Sequence, residues 1–397
     1  MSRVVVAIAV VVVAAAAAFA LWPSSGRQPI QATVAVREAL AEDREGFARG
    51  LAPRPLVFPA DHGPHPDFRT EWWYYTGNVT TTSGRHVGFQ LTFFRVALSP
   101  PAAGSVRADM SSSGSAAPAS PRSSVAPDAP GSAWATRQLY VAHFAVTDTA
   151  GSRFHAVSRA SRAALGLAGA QASPFHVWVE RWSAQADGPA TRLRAQEGDV
   201  AVDLTVTPGK PVVLQGDRGL SRKGPEPGNA SLYYSFTRMP ARGTVRLGGE
   251  TLEVSGEAWM DREWSTSALG AGVEGWDWFA LQLDDGRELM VYRLRRRDGT
   301  ADPFSAGTLV APDGSARLLA ADDVRVETLA RWTSPHSAAR YPARWRLGVP
   351  SADLRLEIEP RLADQELRVG TRYWEGAVRV TGSAAGHGYV ELVGYGE

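Results

Sequence analysis

The sequence predicts an all-β chain of two tandem barrel-like domains behind an N-terminal apolar segment. Three observations predict it. Short runs of alternating apolar and polar residues dominate the chain, the composition is rich in tryptophan and glycine and poor in lysine, and one hairpin pattern recurs about 200 residues after its first appearance.

The N-terminus comes first. Ser2 and Arg3 lead into an uncharged apolar stretch from Val4 to Trp22, followed by a Pro/Ser/Gly turn. That is a secretory signal or a membrane anchor, because a segment of this length spans a bilayer at about 1.5 Å per residue and the small-x-small triplet Ala18, Phe19, Ala20 is what signal peptidase cuts. Residues 1–22 are therefore expected to export the chain across the cytoplasmic membrane or anchor it there, with the bulk periplasmic or extracellular. Residues 23–50 read as a polar spacer. There is no cysteine, which excludes a lipidated cysteine, disulfides and thiolate metal sites.

About 345 residues follow, more than one ordinary core holds. Net charge is +1, from 42 basic and 41 acidic residues, so no electrostatic footprint for nucleic acid is present. Thirteen tryptophans and ten tyrosines suit pleated sheets packed around apolar cavities.

Strands are expected at residues 137–147, with a turn at 148–151 and a return strand, and then at 175–182, 199–206, 244–247 and 354–359. Ala156 to Ala172 is the one Ala/Leu-rich stretch outside the N-terminal 50 residues that could form a short helix. The recurring hairpin is WYYTGNV at 73–79, a turn at Ser83 to Arg85, and VGFQLTFFR at 87–95. Its echo is WDWFALQL at 276–283, a turn at Asp285 to Arg287, and ELMVYR at 288–293. Duplication of a β-domain follows, with domains expected at 51–225 and 240–397 and the Gly/Pro-rich run between Gln215 and Gly228 as linker. Residues 99–132, built of Ser, Ala, Pro and Gly, read as a flexible insertion in the first domain.

The blocks DHGPHPDFRTEWWYYTGN at 61–78, GFQLTFFR at 88–95, AWMDREWS at 258–265, GWDWFALQL at 275–283 and YWEGAV at 373–378 carry a resemblance over roughly residues 55–395. The chain resembles the AttH-like and carotenoid 1,2-hydratase family. That resemblance implies two lipocalin-like (calycin-type) barrels packed together. It also implies a choice of functions, since the family holds carotenoid hydratases, polyene cyclases and exported members without a known activity.

Hydration of an isoprenoid double bond needs a carboxylic acid that keeps its proton and aromatic faces that stabilise the resulting cation. On a strand through residues 257–263, Trp259, Asp261 and Glu263 share one face. Asp261 is the candidate catalytic acid, and the hydratases carry an aromatic-x-Asp pair at the corresponding position. They also carry a histidine on the preceding strand, where this chain has Leu232, Tyr233, Tyr234 and Ser235. The competing role for Asp261 is an ion pair with arginine closing a barrel end.

Candidate ligand-binding residues are Trp259, Tyr233, Tyr234, Trp264, Trp276 and Trp278, with Glu71, Trp73 and Tyr75 on an earlier strand. The alternative for the last three is that they fill a barrel. His62, His65, Asp67 and Glu71 could ligate a divalent ion, but two histidines three apart outside a helix do not converge on one, so no metal and no cofactor is expected. No Gly-x-Ser-x-Gly or His-Glu-x-x-His signature occurs.

Three functions follow. The first is an exported carrier of a hydrophobic small molecule or lipid. The second is a hydratase, isomerase or cyclase of the hydro-lyase type acting through Asp261, and the third is a non-catalytic partner of an envelope ABC-type transporter.

Overall fold

The computed structural model describes residues 45–101, 136–267 and 269–396. The apolar segment 1–22, most of the spacer, and nearly all of the insertion expected at 99–132 lie outside the described residues. Within them the chain is β throughout apart from three short 3-10 turns, and no helix is long and apolar enough to cross a membrane.

Two barrel-like antiparallel sheets form within one compact unit. The first has thirteen strands. In spatial order its continuous path is Arg153–Arg162, Gln138–Asp148, His86–Ala97, Thr70–Thr81, Glu250–Ser265, Ala230–Leu247, Val200–Val206, Ala190–Glu197, Trp182–Asp187, Phe175–Val179 and Ala168–Ala172. The short strands Val213–Leu214 and Leu220–Arg222 pair onto Ala230–Leu247. The second sheet has ten strands. Its path is Ala316–Ala320, Ala306–Val310, Glu288–Arg296, Val273–Leu283, Gly386–Leu392, Arg372–Gly382, Leu354–Pro360, Arg340–Val349 and Arg325–Thr333, with Glu366–Arg368 paired onto Arg372–Gly382.

The recurring hairpin is the opening hairpin of each sheet. Thr70–Thr81 turns into His86–Ala97 through Gly84, and Val273–Leu283 turns into Glu288–Arg296 through Gly286. Both glycines sit at φ +86°, a left-handed conformation that only glycine adopts without strain. In each sheet the last long strand then pairs back onto the first: Glu250–Ser265 onto Thr70–Thr81, and Gly386–Leu392 onto Val273–Leu283. The two sheets thus share the same pairing of last strand on first.

Two expectations are corrected. The strands Ala230–Leu247 and Glu250–Ser265 belong to the first sheet, so the sheets change over between Ser265 and Val273 rather than near 215–240. The Gly/Pro-rich run that suggested a linker is a loop whose short strands pair back onto the sheet it would have left. The Ala156 to Ala172 stretch is two strands and not a helix. Arg153–Arg162 pairs along its whole length with Gln138–Asp148, and left-handed Leu165 and Gly166 turn the chain before Ala168–Ala172. Tertiary pairing overrides the helix preference of its alanines.

Each sheet wraps its own apolar core. Trp73, Phe89, Trp182 and Trp264 sit in the first, and Phe279, Trp345, Ile358 and Trp374 in the second. A third cluster, including Tyr74, Tyr233, Trp259, Trp278, Tyr292 and Tyr389, lies where the outer faces of the two sheets meet. Buried and half-buried polar bonds fix that contact. Arg238 bonds Glu288 at 2.5 Å, Lys210 bonds the same carboxylate at 2.8 Å, and Gln282 Nε2 donates to the Thr237 and Ala258 carbonyls at 2.8 and 3.0 Å. The opening and closing strands are therefore covered on both sides, by a core within and by the other sheet outside.

Candidate functional site

A cavity opens in this contact zone. The first sheet contributes Trp72, Tyr74, Gln90, Tyr233, Asp261 and Glu263; the second contributes Trp276, Trp278, Tyr292, Tyr373, Glu375 and Glu391. Period two selects them. Along Glu250–Ser265, Trp259, Asp261 and Glu263 face outward, while Met260, Arg262 and Trp264 face the other way, where Met260 and Trp264 join the first core. Register sets Tyr74 beside Asp261 and Trp72 beside Glu263, and Ser235 and Tyr233 flank the same pair from the other side.

Asp261 is 3% exposed and accepts three hydrogen bonds. Ser235 Oγ and Trp259 Nε1 donate to Oδ1 at 2.5 and 2.7 Å, and Tyr233 Oη lies 2.6 Å from Oδ2. Ser235 Oγ in turn accepts from Gln215 Nε2 at 2.8 Å, and Gln215 Oε1 accepts from Thr308 of the second sheet at 2.6 Å. No cation pairs with Asp261 among the described residues. Burial pushes its carboxyl up to about 7, against the three hydrogen bonds, and the Glu263 charge adds to the rise.

Three further carboxyls face the cavity, and burial raises each of them. Glu263 is raised despite Lys223, 3.8 Å away, and a short hydrogen bond from Ser231. Glu375 and Glu391 stand directly opposite each other on paired strands. Burial and the Glu391 charge push Glu375 well up, with the Tyr74 and Tyr373 hydroxyls offsetting part of the rise. Burial also raises Glu391, whose Oε1 accepts from Trp276 Nε1 at 3.2 Å. Around these acids Trp278 meets Tyr74 and Trp259 edge to face, with centroids 5.1 and 6.3 Å apart. The arrangement can hold protons on buried carboxyls next to aromatic rings, which suits protonation of an unsaturated ligand.

Of the residues singled out from sequence, Asp261, Tyr233, Trp276 and Trp278 line the cavity, and Trp259 backs Asp261. Glu71, Trp73, Tyr75, Tyr234 and Trp264 do not reach it. Trp73, Tyr75, Tyr234 and Trp264 point into the first core from the same strands. Glu71 is fully buried and ion-paired to both Arg95 and Arg262. Burial alone would raise its carboxyl, but those two guanidiniums and a His65 hydrogen bond hold it well below the usual carboxylate range. His65 stacks on Trp264 at 3.8 Å and bonds Asp61 at 2.8 Å, while His62 Nδ1 lies 2.7 Å from Tyr234 Oη. Among the described residues no group of three or more His, Asp or Glu could hold a metal ion.

Trp72, Tyr74, Glu375 and Glu391 were missed. The first two are the neighbours of Trp73 and Tyr75 in the same aromatic block, one position out of phase. Glu375 sits in the YWEGAV block, where its lone acid between apolar neighbours was a readable signal. Glu391 had none, because only the fold brings it to the cavity.

A family model described as AttH-like matches residues 49–395. Among solved structures, a protein of Nitrosomonas europaea described provisionally as AttH is 34% identical, with a TM-score of 0.73 over 88% of this chain and 100% of that one. Kievitone hydratase from Nectria haematococca has the same fold at 15% identity, with a TM-score of 0.61 over 89% of this chain and 97% of that one. No curated protein matches.

Proposed function

The chain belongs to the AttH-like family, and from that premise we propose that it binds an unsaturated, largely apolar small molecule between its two sheets and protonates it from Asp261, as a hydratase, isomerase or cyclase. The observation that carries this reading is a buried carboxyl at an aromatic cavity with three hydrogen-bond donors and no cation. Because Oδ1 already accepts from Ser235 and Trp259, the acidic proton belongs on Oδ2, next to Tyr233 Oη. Transfer of that proton to an alkene carbon leaves a carbocation on the more substituted carbon and a carboxylate at Asp261. The rings of Trp276, Trp278 and Trp72 stabilise the cation by about 0.5–2 kcal/mol each when desolvated. Water then adds and returns its proton to Asp261; loss of a neighbouring proton to the Asp261 carboxylate instead gives isomerisation, and attack by a second double bond closes a ring whose new cation gives up a neighbouring proton to the same carboxylate. The cavity encloses about 90 Å³. That exceeds the roughly 10–15 Å³ one water needs, so a water fits beside the acid.

The test uses a panel of terpenoid and aryl alkenes incubated with the protein in D2O, with deuterium uptake read by mass spectrometry. Asp261→Asn keeps the shape but delivers no acidic proton, so uptake is expected to fall by at least 10²-fold, the lower end of a general acid's contribution. Uptake equal in both forms refutes Asp261 as the donor. Binding without uptake in either form selects the carrier reading, and no binding at all selects the transporter-partner reading.

Export through residues 1–22 belongs to the same proposal. A mature N-terminus close to Leu21 is the expected result of N-terminal sequencing, and Met1 or Ser2 in the membrane fraction identifies an anchor instead.

A further inference from the structure

Four polar atoms in the side chains that line the cavity make no hydrogen bond within 3.5 Å among the described residues: both carboxyl oxygens of Glu375, Tyr74 Oη and Gln90 Oε1. The Tyr74 and Tyr373 hydroxyls stand close enough to Glu375 to lower its carboxyl but not to close a bond to it. Glu375, Tyr74 and Gln90 are 2, 5 and 1% exposed in that order, so bulk water does not serve them. Gln90 is otherwise engaged, its Nε2 donating to Thr92 at 3.0 Å and to Tyr373 at 3.3 Å. Buried native polar groups are nearly always paired, and a cluster that is not points to a ligand supplying the partners.

We infer that the ligand carries a hydroxyl group, held by Glu375, Tyr74 and Gln90, while Trp72, Trp276 and Trp278 cover its unsaturated apolar part. This rests on reading the cavity as a ligand site. A pure hydrocarbon would seal these polar atoms away from any partner, and a site built to bond a hydroxyl discriminates strongly against the analogue that lacks one. A hydroxyl answers both needs, since it donates to a carboxyl or amide oxygen and accepts from the Tyr74 hydroxyl. An ammonium group suits the site less well. Burial and the Glu391 charge make Glu375 hold its proton, burial with the Asp261 and Glu263 charges does the same for Glu391, and the Lys223 ammonium already stands 3.5 Å over the Tyr292 ring.

Calorimetric titration of the full chain with three probes of one shape tests the inference: 4-vinylphenol, 4-methylstyrene and 4-vinylbenzylamine. 4-Vinylphenol is expected to bind at least tenfold more tightly than 4-methylstyrene. Tyr74→Phe, which removes only the hydroxyl, is expected to weaken 4-vinylphenol at least threefold and leave 4-methylstyrene unchanged, and Glu375→Leu to bring the two affinities within threefold of each other. Equal affinities in the unaltered protein overturn the inference, as does tightest binding of the amine or failure of all three to bind. The same titrations on Asp261→Asn separate this from the acid reading. A hydroxyl preference without Asp261-dependent deuterium uptake sinks only the acid, and equal affinities with Asp261-dependent uptake sink only the hydroxyl site.

Discussion

Glu71 and Asp261 lie on paired strands of one sheet, both almost fully buried, and their carboxyls shift in opposite directions. Glu71 faces the barrel interior, where Arg95 and Arg262 close on it and His65 adds a hydrogen bond. Asp261 faces the neighbouring sheet, where its partners are two hydroxyls and an indole. Burial penalises both anions equally in kind. The presence or absence of a cation decides the sign, and with it whether a buried acid holds the fold or keeps a proton for chemistry.

The largest expected effect comes from breaking the paired side. Glu71→Gln leaves Arg95 and Arg262 buried with one neutral acceptor, at a cost of about 3–5 kcal/mol. Asp261→Asn leaves no charge unpaired and is expected to cost far less. Urea melts of both variants at pH 7 measure the difference, and equal losses would erase the distinction between the two faces.

A smaller effect is a stability profile with opposite slopes. Glu71, depressed in the fold, contributes stability that is present above its unfolded value of 4.5 and lost as pH falls below it. Asp261 is raised from 3.8 to about 7. Between those values the native state holds a proton that the unfolded chain has released, so stability declines as pH rises through the window and levels off above it. The loss is on the order of a few kcal/mol. Asp261→Asn is expected to flatten this decline and to be the more stable form at pH 8. A variant with the same slope between pH 4 and 7 as the unaltered protein would assign the decline to Glu263, Glu375 and Glu391 instead.

The face shared by Trp259 and Asp261 was legible because alternation is a property of any strand. Which face of the Glu71 to Tyr75 block meets the cavity was not. Eight of the first nine residues of Thr70–Thr81 are buried, since a core covers one side and the second sheet the other, and no polar face remains to mark the phase. The same double burial hid the domain boundary. Ala230–Leu247 and Glu250–Ser265 look like the start of a new domain because a loop rich in Gly and Pro precedes them, yet they close the first sheet by long-range pairing that no local signal encodes. The opening hairpins were readable because their glycine turns and aromatic strands are local. The carboxyls of Glu375 and Glu391 become a site only once the second sheet packs against the first.

The smallest effect tests the hydrogen bonds that take the place of a cation. Ser235 donates to Asp261 Oδ1 at 2.5 Å, and it is held in that role by Gln215, which reaches Thr308 in the other sheet. A hydrogen bond to a carboxylate is worth about 1.5–3 kcal/mol, against about 1 kcal/mol for one to a neutral acid. Ser235→Ala also leaves Gln215 Nε2 without its acceptor, but that cost is the same at every pH. The variant is therefore expected to lose about 1 kcal/mol more at pH 9, where Asp261 is ionised, than at pH 5, where it is protonated. Its Asp261 carboxyl should titrate higher than in the unaltered protein, which moves the alkaline limb of any proton-transfer rate upward. Urea melts at the two pH values read the difference directly. An equal loss at both would mean that Asp261 does not change charge between them, and that its contrast with Glu71 is one of packing alone.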